Sequence, residues 1–193
     1  MRNGLGRLGC AIAAVMFLGA GAAFASFDDL KPADPQPAAG SLQPGLAVNY
    51  VDVKARHVDE VEEAGDGEPG PPLPQLDYQS GAGTVLTSDQ ADMIGARIRG
   101  FINFDRPGRW LMATQSNDGV RVRIDGKIVI NDPDVHSDQF SMNAEINIAT
   151  PGWYKLEVTY FERKSTSTLQ LYWQPPGGTE FEIVPAAAFG YTP

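Results

Sequence analysis

The chain has 193 residues, which suffices for one domain of ordinary size with a core of its own. Its 24 Asp and Glu residues outnumber its 15 Lys and Arg residues, so the formal net charge is −9. This acidity argues against binding to nucleic acid or to anionic membrane surfaces, because both need a basic patch on the protein.

The first 25 residues are predicted to be a signal peptide. Arg2 and Arg7 give a positive start, and residues 8–23 form an almost uncharged run rich in Ala, Leu and Gly. Ala23-Phe24-Ala25 has the small-x-small pattern that a signal peptidase recognises, so we expect cleavage after Ala25. An uncleaved membrane anchor is the alternative, but the apolar run is short for a membrane span. We therefore expect an exported protein, periplasmic or secreted, with no membrane span after signal removal.

Two Pro-rich segments come next. Residues 26–44 have no hydrophobic period and predict an extended, mostly solvated linker. A single domain is predicted over residues 45–193, beginning with the strand-like residues 46–53. The acidic, Pro-rich residues 59–83 then predict a long loop inside this domain. Their acidic residues are suited to attracting cations, although a solvated charged loop is the simpler interpretation.

From residue 85 onward the sequence is typical of short strands. Apolar and polar residues alternate, Gly and Pro mark turns, and Asp125-Gly126 predicts a two-residue hairpin turn. Helical periodicity is missing from every long stretch. The pattern predicts an antiparallel β-sandwich or barrel, with strands at residues 94–104, 110–114, 120–124, 128–130, 144–148, 153–161 and 169–173.

The sequence offers little for catalysis. The only cysteine, Cys10, lies in the predicted signal peptide, and the histidines are His57 and His136. There is no G-x-S-x-G motif, phosphate-binding Gly-rich loop or zinc-ligand spacing. Paired carboxylates for glycoside hydrolysis remain an open alternative, since their separation is invisible in a sequence. We expect that the protein is not an enzyme.

A polar loop at residues 131–138 suggests a metal site. Asn131, Asp132, Asp134 and His136 carry oxygen or nitrogen ligands, and hard oxygen ligands suit Ca²⁺. The spacing is not that of an EF-hand, and an ordinary polar loop is the alternative. However, the hairpin that starts near Asp118 should bring both carboxylate-bearing loops to the same end of the sheet. The sequence therefore predicts a cation site there.

The order of the motifs resembles the PA14 domain family. The run GFINFDRPGRWLMATQSNDGVRVRIDGKIVIND is followed by PGWYKLEVTYFERKSTSTLQLYWQPPGG and by EIVP, and the resemblance covers about residues 45–189. Several motifs occur in the expected order, which makes the combination specific. The resemblance implies an all-β, antiparallel β-sandwich or barrel of PA14 type, as found in exported adhesins, glycosidase-attached modules and toxin components.

The resemblance also implies a candidate metal centre. In the yeast and epithelial adhesin branches, two consecutive aspartates joined by a cis peptide bond hold Ca²⁺, which in turn holds sugar hydroxyls. The matching position is Asn117-Asp118, where Asn117 departs from the pattern by losing one negative charge. Asn117 and Asp118 are thus the expected primary ligands, with Asn131, Asp132 or Asp134 completing the shell.

Three further residues are candidate contacts to a glycan. Trp110 offers an aromatic face for a sugar ring, Arg121 offers a bidentate donor for an acidic glycan, and His136 lies in the polar loop. The alternatives are core packing for Trp110, as for Trp153 and Trp173, and a solvated strand face for Arg121.

Two hypotheses follow from the sequence. The first is an exported module that binds a glycan or a cell-envelope polysaccharide with the help of Ca²⁺. The second is a metal-free structural or interaction domain of the cell envelope with a protein partner.

Overall fold

The structure is a computed structural model and describes residues 25–193, so the predicted signal peptide lies outside the described residues apart from Ala25. The elements are, in chain order, β1 (Ala25–Phe27), β2 (Gln43–Pro44), β3 (Leu46–Asp52), α1 (Val58–Glu63), β4 (Glu68–Leu73), β5 (Asp77–Gly81), β6 (Ile94–Phe104), β7 (Gly108–Asn117), β8 (Val120–Ile124), β9 (Lys127–Asp132), β10 (Gln139–Phe140), β11 (Ala144–Ile148), β12 (Gly152–Glu162), β13 (Ser167–Gln174), β14 (Glu182–Ile183), a 3₁₀ turn (Ala186–Ala188) and β15 (Phe189–Tyr191).

These strands form two sheets. The first has seven strands in the order β1-β11-β7-β13-β14, with β10 also paired to β7 and β5 to β13. The second has eight strands in the order β2-β15-β6-β12-β8-β9, with β3 paired to β6 and β4 to β3. Every pairing between these strands is antiparallel except that of β1 with β11. The predicted all-β, antiparallel sandwich is confirmed.

Side-chain alternation explains how the two sheets pack. Along β12, the inward residues Tyr154, Leu156, Val158 and Tyr160 are buried in the core, whereas the outward Lys155 and Glu157 are exposed. The hairpin between β8 and β9 turns at Asp125-Gly126, where both residues have positive φ, as predicted.

An aromatic cluster fills part of the space between the sheets. Trp110 is 1% exposed, and its ring lies 5.1 Å from that of Phe104 and 4.7 Å from that of Trp173, between ring centroids. The prediction that Trp110 contacts a glycan is therefore wrong, because its inward position on β7 places it in the core. Trp173 packs as expected, while Trp153 is only partly buried.

The N-terminal segment is not the solvated linker predicted for residues 26–44. Its strand β1 extends the first sheet and β2 extends the second. Leu30 is 4% exposed, the amide of Ala33 donates to the carbonyl of Trp153, and Gln36 bonds to both backbone groups of Trp153. The physical reason is that sheet edges offer unpaired backbone groups, which an extended Pro-rich segment can satisfy.

The acidic segment is also more ordered than the loop predicted for residues 59–83. It contains most of α1 and all of β4 and β5. Val58 and Val61, one helical turn apart, are fully buried against Phe161, and this short apolar pattern holds α1 on the second sheet. Two of the acidic residues of α1, Asp59 and Glu60, lie in its first turn, where they interact favourably with the helix dipole. Within residues 25–193, no helix is long and apolar enough to cross a membrane.

Candidate functional site

The candidate site lies at the corner Asn117-Asp118-Gly119, where β7 leads into β8. The peptide bond between Asn117 and Asp118 is cis. The amide of Asp118 donates to the carbonyl of Phe161, and the amide of Phe161 donates to the carbonyl of Gly119, each at 3.1 Å. A Cβ atom at Gly119 would lie 2.6 Å from the carbonyl oxygen of Pro133, so only glycine allows this approach. The corner is thereby fixed between the end of β12 and the polar loop.

The carboxylate of Asp118 joins two segments that are distant in sequence. Asp118 is 4% exposed; its Oδ1 accepts a hydrogen bond from the amide of His136 at 3.1 Å, and its Oδ2 accepts one from the amide of Arg163 at 2.9 Å. The structure thus brings Asp118 and His136 to the same end of the sandwich, as the hairpin predicted. The ring of His136 is largely buried, with Nδ1 2.9 Å from the carbonyl oxygen of Ser137.

Glu162, which the sequence analysis did not single out, lies beside Asp118. It is the last residue of β12 and 0% exposed, and neither of its oxygens has a hydrogen-bond donor in the described structure. Burial raises the pKa of Glu162 to about 8, and the adjacent Asp118 carboxyl and the charge of Asp92 act in the same direction. A sequence signal did exist: Glu162 is the next position after Tyr160 in the every-second-residue pattern of inward side chains along β12.

Other polar groups at this end of the sandwich also lack partners. Among the described residues, the buried polar atoms without a hydrogen bond include the hydroxyls of Ser116 and Ser167, Nε2 of His136 and Nε of Arg163. The remaining contact of this His136 atom is a long one, 3.4 Å to Asp132 Oδ2. Buried polar groups are normally hydrogen-bonded, so their concentration here distinguishes this end from the apolar core.

Asn117 takes part in the same cluster. Its carbonyl accepts a hydrogen bond from the hydroxyl of Tyr160 at 2.5 Å, and its side-chain Nδ2 donates to Oγ1 of Thr166 at 3.0 Å. Burial is the main reason why the pKa of Tyr160 lies well above its ordinary value, followed by the charges of Glu162 and Asp118. The hydroxyl therefore stays a donor to Asn117.

The predicted five-residue metal shell is not assembled. Asn131 and Asp132 are consecutive on β9 and so point to opposite faces of the sheet: Asn131 accepts from Arg121 Nε at 2.7 Å, whereas Asp132 accepts from Gln139 Nε2 at 3.0 Å. Asp134 is exposed and its backbone pairs with that of His57. Within residues 25–193, no three His, Cys, Asp or Glu residues gather in a metal-binding arrangement. Placing Asn131 in the shell was wrong because strand alternation turns it away.

Arg121 is committed to a structural ion-pair cluster. Its side chain is 9% exposed, and its Nη1 donates to Asp59 Oδ1 at 2.7 Å and to Glu62 Oε2 at 3.0 Å. Glu62 also accepts from Arg123 at 2.6 Å and from Thr159 at 3.0 Å. The cluster ties α1 to the outer face of the second sheet. The predicted glycan contact through Arg121 is therefore wrong, because its guanidinium already donates hydrogen bonds to three other side chains.

A partly exposed aromatic pair lies near the corner. Phe140 on β10 is 36% exposed and its ring centroid is 5.5 Å from that of Tyr172 on β13. In the sheet, Phe140 pairs with Gln115 and its neighbour Gln139 pairs with Ser116, so the pair is close to the end of β7. A surface depression of about 290 Å³ lies elsewhere, beside Trp153.

Comparisons with known proteins support the fold. A family model described as "PA14 domain" matches residues 75–187. A PA14 sugar-binding domain from an RTX adhesin superposes with a TM-score of 0.63 at 16% identity, over 77% of this chain and 98% of that chain. For the Epithelial Adhesin 9 A domain from Candida glabrata, in complex with Galb1-4GlcNAc, the TM-score is 0.61 at 8% identity, over 87% and 95%.

A third structure, an anti-sigma factor domain-containing protein, gives a TM-score of 0.63 at 19% identity over 76% of this chain. The chain spans about half of that protein, 48% of its length. A comparison with curated proteins gives no match. At these low identities, the structural likeness establishes the fold alone.

Proposed function

The chain belongs to the PA14 domain family, and from that premise we propose that it is an exported carbohydrate-binding domain that uses Ca²⁺ at the Asn117-Asp118 corner. The observation that carries the proposal is the environment of Asp118. Its carboxylate is almost fully buried and is held by two backbone amides rather than by a basic side chain. Its negative charge is therefore not neutralised by an ion pair, which favours a bound cation.

The donor chemistry fits a calcium ion. The side chains of Asp118 and Asn117 supply carboxylate and amide oxygens, which are ligands that Ca²⁺ accepts, and the carboxyl group of Glu162, which has no hydrogen-bond partner among the described residues, lies beside Asp118. A bound Ca²⁺ supplies positive charge that attracts the hydroxyl oxygens of a sugar. Asp118 and Asn117 would hold the ion, and the loop at residues 133–138 would border the sugar.

Two of the structural neighbours support a carbohydrate as the ligand class. One is described as a sugar-binding domain and another is in complex with a disaccharide. Both come from adhesins, which fits an exported domain that binds without catalysis. In this chain, Phe140 and Tyr172 take the place foreseen for Trp110, because their partly exposed rings lie beside the corner and aromatic faces stack on sugar rings.

The test is glycan binding by the purified protein with and without Ca²⁺. The Asp118→Asn variant keeps the size of the side chain but removes its charge, so we expect it to lose both Ca²⁺ binding and Ca²⁺-dependent glycan binding. Glu157→Gln removes an exposed acid on the outward face of β12, away from the corner, and should behave like the wild type. Glycan binding that survives in Asp118→Asn contradicts the proposal.

A flat response to Ca²⁺ in the wild type, together with capture of one specific envelope protein, would instead favour the metal-free interaction domain.

A further inference from the structure

Glu162 occupies an unusual place in the sandwich. It follows Val158 and Tyr160 on the inward face of β12, at the point where that strand leaves the core. Its carboxylate is 0% exposed, although ionisable side chains are rarely buried without a partner. The neighbouring group is the carboxyl of Asp118, and two ionised carboxylates cannot donate hydrogen bonds to each other.

The basic groups nearby do not neutralise this pair. Arg121 and Arg123 bind Asp59 and Glu62 on the outer face of the second sheet. Arg163 donates its backbone amide to Asp118, and its side-chain Nε has no hydrogen-bond partner among the described residues. Two buried like charges side by side are unfavourable unless a proton or a cation lies between them.

We propose that Glu162 is a direct ligand of the cation at the Asn117-Asp118 corner and supplies the second negative charge of that site. This inference rests on the proposed function. Asn117 is neutral, so a site built on the corner alone has the single charge of Asp118. With Glu162 the site has two carboxylates and one amide oxygen, a donor set suited to Ca²⁺, whose affinity depends on the number of charged ligands.

The proposal also assigns a reason for the burial of Glu162. A carboxylate on the inner side of the corner contacts the ion from the protein interior, so the solvent-facing side of the ion stays open for a sugar. The Asn117 side chain donates to Thr166, and the carboxylate of Asp118 receives amides from two segments. The corner is thus held in place before any ion binds, while Glu162 has no other hydrogen-bonded role.

The test compares Glu162→Gln with the wild type by titrating CaCl₂ alone into the EDTA-treated, dialysed protein in a calorimeter. We expect the variant to bind Ca²⁺ about tenfold more weakly or worse, because a charged ligand is lost. A matched control is Glu157→Gln, an exposed glutamate on the outward face of β12, which should bind like the wild type.

The outcomes separate the two proposals. If the wild type binds Ca²⁺, Asp118→Asn does not and Glu162→Gln binds as tightly as the wild type, the role of Glu162 is overturned and the proposed function stands. If the wild type itself binds no Ca²⁺, both are overturned. Should Glu162→Gln fail to fold, Glu162→Asp decides the matter, since a shortened ligand must weaken Ca²⁺ binding while a residue outside the shell leaves it unchanged.

Discussion

At the scale of single residues, Trp110 and Phe140 show how burial determines whether an aromatic side chain stabilises the fold or is available to bind a ligand. Trp110 is buried in the aromatic cluster, whereas Phe140 is partly exposed beside the corner. Trp110 begins the predicted strand 110–114 and Phe140 lies between the predicted strands 128–130 and 144–148, but neither context shows whether the ring is buried.

Trp110→Ala should lower the free energy of unfolding by about 3–5 kcal/mol, since it leaves a large cavity between the sheets. The matched variant Phe140→Ala should change it by less than about 1 kcal/mol but weaken glycan binding. Urea denaturation in EDTA and glycan titration in Ca²⁺ measure the two effects. A lower free energy of unfolding for Phe140→Ala than for Trp110→Ala would contradict the assignment of Trp110 to the core and of Phe140 to the surface.

Helix α1 shows, at the scale of one element, how a charged segment is held on a sheet. Two valines bury its inner side against Phe161, and Arg97 donates to backbone carbonyls at its C-terminal end, including that of Val61 at 3.0 Å. The ion pairs of Arg121 and Arg123 with Glu62 complete the attachment. Acidic residues that suggest a solvated loop in the sequence are thus structural contacts.

The attachment of α1 predicts a dependence of stability on pH. Burial acts to raise the pKa of Glu62, but the hydrogen bonds from Arg123 and Thr159 and the charges of Arg123 and Arg121 outweigh it, so the pKa is lowered. The unfolded chain then binds this proton more readily than the folded protein does, and stability falls as the pH drops from the ordinary glutamate range through the lowered value. Glu62→Gln should therefore show a shallower loss of melting temperature in acid than the wild type.

The exposed neighbour Glu63 provides the control, because Glu63→Gln should leave the fall of the melting temperature at acid pH unchanged. If the melting temperatures of Glu62→Gln and the wild type fell identically in acid, the ion pairs would contribute nothing to the attachment of α1.

For the molecule as a whole, the N-terminal segment is part of the sandwich rather than an appendage. It adds β1 and β2 to the edges of the two sheets, and Leu30 reaches the core. Leu30→Ala should lower the free energy of unfolding by about 2–5 kcal/mol in one cooperative transition. Lys31→Ala should have little effect, because only the backbone amide of Lys31 makes a hydrogen bond, to Asp125 at 2.9 Å. Equal stabilities of Leu30→Ala and the wild type would restore the linker interpretation.

Much of the fold could be predicted from the sequence. Alternating apolar residues located β6, β8 and β11 with the observed bounds, and Asp125-Gly126 located the hairpin turn. Such signals are local, because the side-chain period of two and the turn chemistry are properties of consecutive residues. The order of motifs indicated the family, which the family comparison bears out.

The candidate site could be predicted only in part. The sequence by itself determined the class of fold, the corner at Asn117-Asp118 and the approach of the polar loop to Asp118. Only the tertiary structure decided which residues share that end. In the folded chain Asn131 points away from Asp118, Arg121 forms ion pairs with α1, and Trp110 is buried in the core. Glu162, by contrast, lies beside Asp118. The physical reason is that burial and charge pairing depend on contacts between distant segments. The contact of Asp118 with the end of β12 joins residues 45 apart in the chain, and no local pattern encodes that distance.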